Sequence, residues 1–111
     1  MNDIKPVLWL AIEDYSGLWE AVWQLRGLHS KATEEALTAR AKVALRELLA
    51  RDLVKLYRCQ EPYGDMSEVQ GSDVNSLLAA DESWREPSVG DVSIRFGATP
   101  AGQEAYPSWP D

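Results

Sequence analysis

Apolar positions in the first half of the chain recur with a helical period, and later ones alternate as strands do. In "IKPVLWLAIEDYS", Ile4, Val7, Leu8, Ala11 and Tyr15 follow the i, i+3, i+4, i+7 spacing, and Pro6 falls where a first helical turn tolerates it. The pattern predicts a first helix. Because "VLWLAI" is also short, continuous and apolar, a buried strand over residues 4–12 fits it too. After the break at "DYSG", where Asp14 or Ser16 can cap, a second helix is expected to run to about Gly27. Its central stripe is Leu18, Val22 and Leu25, with Trp19 and Trp23 on one flank and Glu20 and Gln24 opposite. Both indoles are expected to be largely buried as core and flank packing, and Arg26 is spaced to stack on either ring.

"KATEEALTARAKVALRELLARD" is made of strong helix formers and predicts the longest helix. Thr33, Glu34 and Glu35 suit its positive start, and Arg51 suits its negative end. Leu37, Ala41, Ala44, Leu45, Leu48 and Leu49 project onto one face. Two strands follow, "LVKLYRC" and, much later, "DVSIRF", and they should pair as an antiparallel hairpin. Between them, residues 60–91 form a long insertion with a turn at "EPYGD". A short helix is expected at "SDVNSLLAAD", capped by Ser72, with Val74, Leu77 and Leu78 on one side.

The order helix, helix, long helix, strand, connection, strand resembles the winged helix-turn-helix fold. "ALTARAKVALRELLARDLVKLYRC" is similar to a recognition helix leading into a first wing strand. "IRFGATPAGQEAY" is similar to the end of a second wing strand followed by the "L-T-x-x-G-x-x-A" signature of PadR- and MarR-type regulators, here Ala98 to Ala105. The likeness spans most of residues 4–106. It implies an α+β chain forming a single winged-helix domain over residues 1–111, with three helices, a two-stranded antiparallel wing and an acidic insertion containing a short helix. It also implies that Thr38, Arg40, Lys42 and Arg46 would face the major groove in a DNA-binding member.

Charge pulls against that last implication. Between Thr33 and Asp52 four basic residues meet four acidic ones, so the helix is neutral. Residues 61–91 carry eight carboxylates and one cation, Arg85. Residues 1–60 hold nine Lys or Arg against eight Asp or Glu, whereas residues 61–111 hold two against ten, so the net charge of −7 is C-terminal. Such a field repels the phosphate backbone.

The 111 residues are enough for one core without metal or disulfide, and one cysteine, Cys59, admits no internal bridge. No apolar run approaches the roughly 18 residues of a membrane span, and "MNDIKPVLWLAIEDY" does not read as a secretory signal, so a cytoplasmic protein is expected. His29 and Cys59 are far apart in sequence, no metal, P-loop or dinucleotide spacing occurs, and neither catalytic residues nor a cofactor is expected. Two functional classes remain. One is a protein-recognition module of the immunity, antitoxin or inhibitor kind. It would meet a basic partner with Tyr63 and Trp84 as aromatic anchors and Glu82 and Glu86 as flanking charges. The other is a dimerising transcriptional regulator that presents Thr38, Arg40, Lys42 and Arg46 to DNA.

Overall fold

Residues 4–12 are helical: α1 (Ile4–Glu13) buries Val7, Leu8 and Ala11 and keeps Pro6 in its first turn. The computed structural model describes residues 3–62 and 64–110. Ser16–Gly17 form a two-residue strand, β1, and α2 (Leu18–Leu28) starts directly from it. The Gly17 amide donates to Glu20 Oε2 at 2.7 Å, closing the helix start. Glycine is required there, since a Cβ would lie 2.1 Å from the Trp19 ring. Neither expected cap acts on α2: Ser16 is buried in β1, and its hydroxyl donates to the Leu10 carbonyl at 3.0 Å.

The longest helix, α3 (Glu34–Ala50), opens with the Thr33 hydroxyl accepting from the Ala36 amide at 3.1 Å. It closes without glycine. Asp52 takes φ 57°, the Asp52 amide donates to the Leu49 carbonyl, and the Leu53 amide reaches back to Leu48. This Schellman ending uses the tolerance of Asp for left-handed backbone and turns Leu53 into the core. Strand β2 (Val54–Gln60) follows, then the short β3 (Met66–Glu68), α4 (Val74–Ala79) and β4 (Val92–Ala98). Last comes α5 (Pro100–Ala105). Turns of 3-10 helix lie at Gly71–Asp73, Asp81–Trp84 and Tyr106–Ser108.

The strands form one antiparallel sheet in the order β1-β4-β2-β3. The expected hairpin pairing is present in full, from Val54 opposite Ala98 to Gln60 opposite Val92. Alternation sends Val54, Leu56, Ile94 and Phe96 to one face, where they join residues of α1, α2 and α3 in one hydrophobic core. The other face carries Tyr57, Cys59, Ser93 and Arg95. The Tyr15 ring lies over Gly97 so closely that a Cβ there would meet it at 2.7 Å. Tyr15 also meets Tyr57 edge-on, with ring centroids 5.1 Å apart. Burial, then the neighbouring Tyr15 and Glu68 charges, holds the Tyr57 phenol above its usual pKa, against an opposing pull from Lys55.

The α+β class therefore holds, but three helices and a two-stranded wing do not describe the fold. Five α-helices and four strands are present among the described residues. Two residues suffice for β1 because its partner β4 supplies the pairing, and β3 adds an edge to β2. Ser72 is not a cap but lies within the 3-10 turn ahead of α4. Trp19 is buried as expected, whereas Trp23, one turn further along α2, is 44% exposed. Arg26 pairs with Glu34 rather than stacking on either indole. None of the helices among the described residues is long and apolar enough to cross a membrane.

Candidate functional site

The segment from Asp81 to Val92, which leads into β4, exposes four carboxylates against one arginine, and its turn is anchored to the end of β2. Gly90 takes φ 94°, and the Asp91 amide donates to the Ser88 carbonyl at 3.0 Å, which makes residues 88–91 a tight turn. The Asp91 carboxylate accepts from the Ser88 amide at 2.8 Å. The turn is anchored to the end of β2 by the Glu61 amide donating to the Asp91 carbonyl and by Gln60 Nε2 donating to the Gly90 carbonyl at 2.7 Å. This fixed turn holds Val89 at its tip, 86% exposed, with Glu86 and Asp91 on either side.

Two clefts flank the turn and share Pro87. One, of about 410 Å³, has Glu82, Arg85 and Asp91 on its rim and Ile94 and Leu77 in its wall. The other, of about 240 Å³, is bordered by Glu86 and Val89 and reaches Trp19, Glu61 and Arg95. Glu61 was counted with the surface carboxylates, but it is buried against Arg95, with Nη2 to Oε1 2.5 Å. Ser93 donates to the same oxygen at 3.1 Å, Arg95 Nη1 donates to the Tyr15 carbonyl at 2.8 Å, and the guanidinium lies over the Trp19 ring. This buried polar centre ties β1, β2 and β4 together and forms the floor beneath the ridge.

The ridge is acidic because Asp81, Glu82, Glu86 and Asp91 outnumber its one cation, the exposed Arg85, and most cations elsewhere on the chain are engaged. Arg26 pairs with Glu34, Arg40 with Asp3, Arg51 with Glu47, Lys55 with Glu68 and Arg58 with Asp73. Asp65, Asp81, Glu82, Glu86 and Asp91 are exposed, and none forms an ion pair among the described residues. Of the residues expected at a partner surface, Glu82 and Glu86 are on this ridge, and Tyr63 lies outside the described residues. Trp84 is a correction: it is only 8% exposed, and its ring sits in the core with its Nε1 donating to the Leu78 carbonyl at 3.0 Å. The indole joins α4 to the rest of the molecule and offers no free ring to a partner.

The groove-facing set on α3 is largely committed to other contacts. The Thr38 hydroxyl donates to the Glu34 carbonyl at 3.0 Å. Arg40 Nε stands 2.9 Å from Asp3 Oδ2, the same carboxylate whose other oxygen meets His29 Nε2 at 2.7 Å. Lys42 Nζ lies 5.8 Å from the centre of the Trp84 ring, so the insertion folds back over it. Arg46 alone of the four is exposed without an ion pair or ring partner. Cys59 is fully buried beside Glu61, and His29 is engaged with Asp3. Among the described residues no cluster of His, Cys, Asp or Glu is arranged to hold a metal ion.

Sequence reasoning missed Val89 and Val92 as surface features. The signal was present in "EPSVGD": a valine immediately before a turn glycine, between carboxylates. No family model, curated protein or solved structure matches this chain.

Proposed function

We propose that the protein is a non-catalytic recognition module that binds a basic protein surface through the ridge from Asp81 to Val92. The observation that carries this reading is the fixed turn at Ser88–Asp91, which holds an exposed valine among carboxylates that have no cationic partner of their own. An apolar tip within a charged rim suits a compact protein interface: the tip supplies desolvation, and the charges supply orientation and rate. The larger cleft beside the turn is lined by Arg58 and Arg85 as well as Glu82 and Asp91, so attraction for a basic surface rests on the exposed Asp81, Glu82, Glu86 and Asp91 along the ridge rather than on that cleft. Val89 and Val92 take the place of the buried Trp84 as the apolar part of this surface, and Glu82 and Glu86 are proposed as its flanking charges.

The winged-helix kinship remains a second reading. It is supported by the element order, with α1, α2, α3, β2, a connection and β4 in the sequence that the resemblance implies. A DNA-binding role draws less support, since Arg40 and Lys42 are held by Asp3 and Trp84 and the ridge would face the phosphates with carboxylates. To test the recognition reading, a photo-crosslinking amino acid is placed at position 89 in the producing cells and the attached protein identified. The expected product is one basic protein, lost when Glu82 and Glu86 are both changed to Lys in a variant with unchanged melting temperature. The same crosslinks in that variant would refute it.

A further inference from the structure

Helix α3 turns Leu37, Ala41, Leu45 and Leu48 into the core, and its opposite side lies open to solvent. That outer side is not the continuous polar face of an ordinary solvated helix. Ala36, Ala39, Val43 and Ala50 are all exposed along it, and the valine is 65% exposed. At the helical period these residues fall within about 60° of one another, so they form one strip running most of the length of α3.

Two charges border the strip on the same flank, Glu35 near its start and Arg46 near its end. Both are exposed, and neither forms an ion pair among the described residues, although most arginines of the chain do. Eleven positions separate them, three turns of helix or about 16 Å, which is too far for the two to meet within one helix. The neighbour of Arg46 one turn back is Lys42, a like charge, and its ammonium lies 5.8 Å from the centre of the Trp84 ring, off the strip. An exposed valine therefore stands between an acid and a base that find no partner in their own chain.

A second α3 running antiparallel supplies both partners at once. With the two-fold axis level with Ala41, Glu35 of each copy falls opposite Arg46 of the other, and Val43 of each falls opposite Ala39 of the other. Antiparallel packing brings like flank against like flank, so the placement of both charges on one flank is what reciprocal pairing requires. The alanines let the two backbones approach, and each valine fills the space above the facing alanine. Parallel packing would instead set Glu35 against Glu35 and Arg46 against Arg46. We propose that this face docks a second copy of the chain, forming a two-fold dimer through α3 with two reciprocal Glu35–Arg46 pairs around the Val43–Ala39 contacts. One helix crossing buries less than the roughly 1,200 Å² at which stable specific interfaces begin, so the dimer is concentration-dependent.

The test is sedimentation equilibrium of the full chain at about 50 mM salt and at protein concentrations up to about 1 mM, where weak contacts are populated. A reversible monomer–dimer equilibrium is expected. Glu35→Arg and Arg46→Glu should each weaken it by at least about tenfold, because symmetry turns one substitution into two repulsive pairs. Combining the two reverses both pairs and should restore the parent dissociation constant to within about threefold. Val43→Arg should leave a monomer throughout, with a melting temperature close to the parent's because the position is on the surface. If that variant melts lower, the charge-reversal set still decides, since the double variant contains both single changes. A parent chain that stays monomeric, a dimer untouched by the single charge reversals, or a double variant that does not regain association overturns the proposal. A dimer that persists in a folded Val43→Arg protein also overturns it, since another surface would then hold the two copies.

Discussion

Replacing Trp84 separates a core residue from an interface residue, because the two roles predict opposite results. The ring is 8% exposed, belongs to the central cluster, and its Nε1 satisfies the Leu78 carbonyl at 3.0 Å. Trp84→Ala removes the ring and leaves a cavity, a change that costs roughly 3–5 kcal/mol at buried sites. Domains of this size are stable by about 5–15 kcal/mol, so the loss is a large share of the whole. At about 4 °C per kcal/mol the melting temperature should fall by about 12–20 °C. Trp84→Phe keeps most of the apolar volume but deletes the donor, leaving the Leu78 carbonyl without its partner. That change should cost about 1–3 kcal/mol. Differential scanning calorimetry of the three proteins reads both numbers. A Trp84→Ala protein that melts within a degree or two of the parent would refute the core assignment and return the indole to the surface.

The buried ion pair predicts a second pattern: Glu61→Gln or Arg95→Met alone should destabilise by roughly 3–5 kcal/mol, and the double change by less than the sum, as read by urea denaturation. Gly102→Ala should destabilise by about 1–3 kcal/mol in the same assay, since the new Cβ would lie 2.1 Å from the Leu53 carbonyl oxygen, a backbone atom that cannot swing aside. Tyr57 gives a pH signature. Its phenol is held neutral in the fold above the usual value of 10.0, so its contribution is full below that pH and is lost as the unfolded chain ionises first. Tyr57→Phe should therefore flatten the decline in stability above pH 10 relative to the parent.

What the sequence revealed, and what it hid, follows from how far apart the interacting residues are. Helix α3 was legible because its formers, its Thr33 cap and its apolar stripe all lie within one segment. The pairing of β2 with β4 was legible because each strand alternates on its own. Strand β1 was not, since two residues carry no period and their structure comes from Phe96 and Arg95, some 80 positions away. Glu61 looked like one more surface carboxylate because its partner Arg95 is 34 residues distant. Trp84 looked like an anchor because its sequence neighbours are charged, although its ring packs with residues well outside that stretch. The end of α3 at Arg51 was legible from its closing cation, but the left-handed turn that follows was not, because Asp52 occupies a position where glycine is the usual signal.

The central claim is that the ridge from Asp81 to Val92 meets a basic protein surface and that α3 does not read DNA. It is tested most directly by nuclear magnetic resonance titration of the isotopically labelled chain at about 50 mM salt, where electrostatic contacts are least screened. One series adds an arginine-rich peptide, the other duplex DNA. The account predicts shifts confined to residues 81–92 with the peptide, lost in the Glu82→Lys, Glu86→Lys variant, and no saturable shifts with DNA. Saturable shifts along α3 with duplex DNA, weakened by added salt and by changing Lys42 and Arg46 to Glu, would contradict it and restore the regulator reading.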